Sequence, residues 1–216
     1  LALKPQKPIR PNKPLNLGLG LFFVLLLGLA IAFLQEHLDN SVKTPDQVER
    51  EFGLPTLGML GDIRENEGRI ISSSRPQAAL AEALRMVRAS LQFAAVDGQL
   101  QSLLVTSAVP GEGKSTIAAN LALVMAQKGL RVVLVDADMR NPRQHRIFEL
   151  PNTTGLSSVI VGQCSVEDAA HVHPDFNLMI LTSGPMPPNP AELLESARAR
   201  NLVQQLKASC DMVVFD

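Results

Sequence analysis

The chain has 216 residues, 46% of them hydrophobic and 19% charged, which is enough for one sizeable domain with further segments attached. A formal net charge of −1 argues against a nucleic-acid partner, which requires a basic surface. Cys164 and Cys210 stand far apart without ligand spacing, so they read as reduced thiols in or near a core, and the His171-Val-His173 pair, with no acidic or thiol companions, reads as a loop feature.

Residues 1–14 carry Pro5, Pro8, Pro11 and Pro14. A proline every third residue matches the polyproline II helix and predicts a stiff, extended strut leading into the next segment. Residues 15–34 (LNLGLGLFFVLLLGLAIAFL) contain no charge and one polar side chain, Asn16. Twenty helical residues reach about 30 Å, the hydrocarbon thickness of a bilayer, so this segment is expected to be a transmembrane helix. Lys4, Lys7, Arg10 and Lys13 precede it and acids come after it. That bias favours a cytoplasmic N-terminal side, whereas a nucleotide site further along requires the opposite orientation. We give the nucleotide argument precedence.

Residues 35–76 read as a juxtamembrane segment and linker. Within them TPDQVEREF (44–52) predicts a short helix, with Thr44 as N-cap, Pro45 in the first turn and Gln47 closing a capping box. GLPTLGML reads as a bend and a short extended piece, and 62–76 as a polar linker. A helical period opens at Gln77, with Leu84, Val87 and Leu91 on one face. From there the pattern is strand, loop, helix, strand: SLLVT (102–106), SAVPGEGKST (107–116), a helix over 114–128 stopped by Gly129, and RVVLVDAD (131–138). NLMILT (177–182) and MVVFD (212–216) are further strands, with one helix over 190–209 between them. Apolar strands alternating with helices predict an α/β domain over 77–216: a parallel sheet with helices on both faces.

The loop has the phosphate-loop spacing, with Ala108 in place of the first glycine. Gly111 and Gly113 permit positive φ, so successive N–H groups can turn inward as an anion nest, aided by the dipole of the next helix. The candidate nucleotide-binding segment runs through Val109, Pro110, Gly111, Glu112, Gly113, Lys114, Ser115 and Thr116. Lys114 is placed for the β- and γ-phosphates and Ser115 for Mg²⁺. Asp136 and Asp138 come directly after an apolar strand, and ligands of open parallel sheets bind beyond the strands' carboxyl ends. One acid can take a proton from an attacking hydroxyl while another helps to hold the metal. Asp216 closes another apolar strand in the position of a metal-holding acid.

SAVPGEGKST, VVLVDADMRNP and DMVVFD together resemble the bacterial tyrosine kinases of capsule and exopolysaccharide synthesis. So do GPMPPNPAELLES (184–196), EALRMVRASL (82–91) and a front end similar to the close of a chain-length-determinant domain. The resemblance covers essentially the whole chain. It implies a P-loop kinase domain using ATP and Mg²⁺, in which Lys114, Asp136 and Asp138 are catalytic, Asp136 as the base for a tyrosine hydroxyl. Ser115, Asp138 and Asp216 would support the metal. Glu82, Arg85 and Arg88 match a Glu-x-x-Arg-x-x-Arg subunit-contact motif, which implies an octameric ring; without the resemblance they read as a solvated helix face. It further implies a bacterial inner membrane location with a cytoplasmic kinase domain. The partners would be the polysaccharide polymerisation and export machinery and a cognate tyrosine phosphatase. The chain has no tyrosine, starts at Leu1 and stops at Asp216 in an apolar run, so a fragment of a longer, C-terminally truncated kinase is expected. Two alternatives stand beside this reading. One is a membrane-associated ATPase switch of the partition and division-site type, whose phosphate loop carries an extra lysine that is missing here. The other is a non-enzymatic scaffold that sets polysaccharide chain length.

Overall fold

The structure is a computed structural model that describes residues 12–39, 44–61, 78–94 and 100–216. Residues 1–11 of the proline strut expected over 1–14, and the linker expected over 62–76, lie outside the described residues. Two units divide the chain, Leu1–Thr56 and Leu57–Asp216.

In the first unit, α1 (Lys13–Leu38) extends the expected apolar segment at both ends. Pro14 stands in its first turn, where a missing N–H costs nothing, and so belongs to the helix instead of the strut. None of its residues is buried. It is long and apolar enough to cross a membrane. The short helix α2 (Pro45–Phe52) begins as expected: the Thr44 N–H donates to Gln47 Oε1 at 3.3 Å. The helix stops at Gly53, whose N–H donates to the Glu49 carbonyl at 3.0 Å.

Among the described residues the second unit is built on five strands: β1 (Ser102–Leu104), β2 (Val132–Val135), β3 (Ala170–Val172), β4 (Leu178–Leu181) and β5 (Met212–Phe215). Their spatial order is β1-β5-β2-β4-β3. The four strands read from the sequence are mutually parallel. The fifth, β3, was not anticipated, and it runs antiparallel to β4 at the sheet edge. It corrects the wholly parallel expectation and moves His171 from a loop into a strand.

Helices cover both faces. On one, α3 (Ala78–Ala94) packs through Ala81 and Leu84 on α4 (Lys114–Gln127), and α4 lies on the sheet through Leu121, Leu123 and Met125. On the other, α6 (Leu156–Val161) and α9 (Ala197–Ser209) enclose Val133, Val135, Leu181 and Val213. Three further short helices, α5 (Gln144–Ile147), α7 (Val166–Ala169) and α8 (Pro190–Glu195), are found among the described residues of the unit. The single helix expected over 190–209 is two. Ser196 takes an extended conformation (ψ 155°) and its Oγ accepts the Ala199 N–H at 3.1 Å, so α9 starts afresh with its own N-cap. Both cysteines are free, Cys210 buried and Cys164 half-buried.

Candidate active site

Strand order decides the site. β1, β5 and β2 are neighbours, so the segments leaving their carboxyl ends emerge side by side: the glycine loop after β1, Asp216 after β5, Asp136 to Asp138 after β2. Ladder hydrogen bonds continue past the strands. Asp216 N–H donates to the Val135 carbonyl at 3.0 Å, and Ala137 N–H to the Asp216 carbonyl at 3.0 Å. The backbone beneath the acids is therefore as fixed as the sheet.

Gly111 (φ 93°) and Gly113 (φ 89°) both occupy the left-handed region, which an L side chain resists. Gly113 is the N-cap of α4, and its carbonyl accepts the Ile117 N–H at 2.9 Å. The first-turn N–H groups of α4 thus remain for a ligand, at the positive end of the helix dipole. Within the loop, Val109 N–H already donates to Glu112 Oε2 at 3.2 Å. A carboxylate of the loop itself satisfies one donor of the nest.

Lys114 Nζ sits 3.0 Å from Asp138 Oδ2 and 3.0 Å from Asp216 Oδ1, and 3.5 Å from Ser115 Oγ. Burial pulls the lysine pKa down, but hydrogen bonds to Asp138 and Asp216 outweigh it and leave the ammonium above its ordinary value. For Asp138 burial pushes upward, while the Asn141 N–H and the Lys114 ammonium hold it below the usual carboxylate range. Lysine and acid are both charged at neutral pH.

Asp136 is different. It is 0% exposed. Its Oδ2 accepts N–H bonds from Arg143 at 3.0 Å and Gln144 at 2.9 Å, whereas Oδ1 is buried without a hydrogen-bond partner among the described residues. Burial raises its pKa to about 7, against the lowering effect of the two N–H donors. The carboxylate expected to face an incoming hydroxyl is thus beneath the surface, and Asp138, two residues on, is the acid at the opening.

The opening is a cavity of about 550 Å³ lined by the loop from Ser107 to Gly111, by Gly113 to Thr116, and by Asp138, Asn141, Arg143, Arg146 and Ile147. Of the expected nucleotide-binding residues, all but Glu112 line it. Lys114 Nζ draws Ser115, Asp138 and Asp216 together; of the three acids only Asp138 lines the cavity, and the side chains of Asp136 and Asp216 are buried behind it. The residues present suit Mg²⁺-nucleotide: backbone donors and Lys114 for phosphates, and a hydroxyl with two carboxylates for a hard cation.

The sequence reading missed Gln144 and the cationic wall of Arg143 and Arg146. The signal was available, since RNPRQHR comes shortly after the strand that delivers the acids. Glu82, Arg85 and Arg88 lie on α3, away from this cavity. Glu82 and Arg85 are exposed and pair with each other at 2.9 Å, while Arg88 is half-buried with its Nε lacking a partner among the described residues.

A family model described as ParA, NUBPL iron-transfer P-loop NTPase, matches residues 99–184. The tyrosine-protein kinase YwqD of Bacillus subtilis (strain 168) is 46% identical over 159 residues, 71% of this chain and 67% of that protein. Among solved structures, the chimerical protein CapA2B2 is 41% identical with a TM-score of 0.74, over 80% of this chain and 74% of that one. The BceF tyrosine kinase domain is 34% identical with a TM-score of 0.72, over 82% and 76%. Longer curated tyrosine kinases match the whole of this chain, which spans about a third of their length.

Proposed function

Because the chain belongs to the bacterial tyrosine kinases of capsule and exopolysaccharide synthesis, we propose that it transfers the γ-phosphoryl group of ATP to protein tyrosines. One observation carries this reading: Lys114 meets Asp138 and Asp216 at the mouth of a glycine loop. In phosphoryl transfer the protein mainly positions groups and neutralises charge. Backbone N–H groups from Gly111 to Thr116 hold the phosphates. Lys114 exchanges its two carboxylates for phosphate oxygens. Ser115, Asp138 and Asp216 would hold Mg²⁺, which supplies neutralisation of phosphate charge when bound. Asp138 faces the cavity that an acceptor hydroxyl enters, and Asp136 behind it has the near-neutral pKa that a base needs. Asn substitutions at the two positions separate those roles. The acceptor tyrosine lies outside these 216 residues, which contain none.

The same reading places α1 across the inner membrane with residues 77–216 in the cytoplasm. It places Glu82, Arg85 and Arg88 at a contact between ring subunits, and the assembly beside polysaccharide polymerisation and export proteins, with a phosphatase resetting it. The test is transfer of label from [γ-³²P]ATP to a Glu-Tyr copolymer by membrane-reconstituted protein. Phosphotyrosine is expected, with at least about a hundredfold loss in Lys114→Ala. Label released only as inorganic phosphate would favour the ATPase-switch reading to which the ParA match also points. Absence of nucleotide binding would leave the scaffold reading.

A further inference from the structure

One buried amide ties the site together. Gln144, the first residue of α5, is 0% exposed. Its Nε2 donates to Asp216 Oδ2 at 2.7 Å and to the Ser115 carbonyl at 3.0 Å, and its main-chain N–H donates to Asp136 Oδ2 at 2.9 Å. A single residue thus holds the loop-helix junction, the tip of β2 and the tip of β5, segments 29 and 72 residues away from it through its side chain.

The two oxygens of Asp216 have separate partners: Oδ2 takes the Gln144 amide and Oδ1 takes Lys114. When Lys114 turns to phosphates, Oδ1 becomes the free oxygen, and the bond to Oδ2 is what keeps the carboxylate from rotating. We infer that Gln144 is a positioning residue that aims the metal-facing oxygen of Asp216 and so sets the Mg²⁺ requirement of the site. It does so without lining the cavity itself. This role rests on the site's being one for Mg²⁺-nucleotide. Partners that orient a metal ligand are typically worth about 10–100-fold in metal affinity.

The experiment is a fluorescence titration of the protein with N-methylanthraniloyl-ATP, first in EDTA and then across Mg²⁺ concentrations. Gln144→Met keeps the volume and removes the donor. Gln144→Asn keeps an amide but is one methylene too short to reach Asp216. Both variants are expected to raise the Mg²⁺ half-saturation about tenfold, with metal-free nucleotide affinity held within about twofold. An unchanged Mg²⁺ requirement in a folded variant overturns the inference. So does a parallel fall in metal-free affinity, or loss of fold in both variants, since each assigns Gln144 a structural role only. If the unsubstituted protein binds the nucleotide with no Mg²⁺ dependence, the reading of the site itself fails first.

Discussion

Two helices of this molecule are apolar nearly all round, and they end in opposite environments. Of the 14 residues in α4, 10 are buried, and it lies between α3 and the sheet. In α1, 26 residues long, none is buried, and Phe22, Phe23 and Leu25 to Leu27 are exposed. The difference is one of length and sequence surroundings. Fourteen residues rise about 21 Å, too short for a bilayer, and α4 is flanked by strands that supply a surface to cover. The longer helix has enough reach for hydrocarbon, and among the described residues no strand adjoins it in sequence. Apolar surface must leave water in either case; protein does it for one helix and lipid is the fitting partner for the other.

Charges in the two helices break this comparison most sharply. Leu123→Asp buries an unpaired carboxylate in the core of the second unit and is expected to abolish its cooperative unfolding and its nucleotide binding. Leu25→Asp should leave nucleotide affinity within about twofold while reducing membrane partition by about 2.5–3.5 kcal/mol. Flotation on a density gradient and nucleotide titration read the two effects, and a loss of nucleotide binding in Leu25→Asp would erase the distinction.

Asp136 sharpens the contrast within the second unit, as a polar group buried where apolar ones belong. Its pKa is about 7 in the fold against 3.8 for the free group. Between about pH 4 and pH 7 the native state holds a proton that the unfolded chain has lost, so stability falls as pH rises through that window and stays lost above it. Asp136→Asn should therefore stabilise the metal-free protein by about 2–4 kcal/mol at pH 8, with little difference near pH 4. Denaturant melts in EDTA at both pH values check the sign.

Truncated side chains have smaller effects than inserted charges. Leu123→Ala is expected to cost about 2–5 kcal/mol of the second unit's stability, and Leu26→Ala less than about 0.5 kcal/mol. The smallest effect belongs to the exposed Glu82–Arg85 pair. Glu82→Ala should move stability by less than about 1 kcal/mol. Analytical ultracentrifugation of the same variant asks whether the pair matters to assembly instead.

The four parallel strands, the loop and the two N-terminal helices were legible because each is a local pattern: an apolar run, a glycine spacing, a cap. β3 was not. It is three residues long and begins where α7 ends, and its pairing with β4 is a long-range event that local periodicity does not record. The break at Ser196 was also missed, because a serine inside a helical run signals an N-cap only once the backbone turns there. At the site, the identities of Lys114, Ser115, Asp136, Asp138 and Asp216 could be read, but not their depths. Only packing put Asp136 below the cavity wall and Asp138 on it.

By itself, then, the sequence determined which segments are strands, where phosphate can be gripped, and that one helix suits a bilayer. Those features come from side-chain chemistry repeating along a few turns of chain. Tertiary structure decided the rest: that β5 lies between β1 and β2, that Lys114 rests on two acids 24 and 102 residues away, and that Gln144 joins them. Such contacts depend on which strands become neighbours, and that is settled by the packing of the whole sheet against its helices.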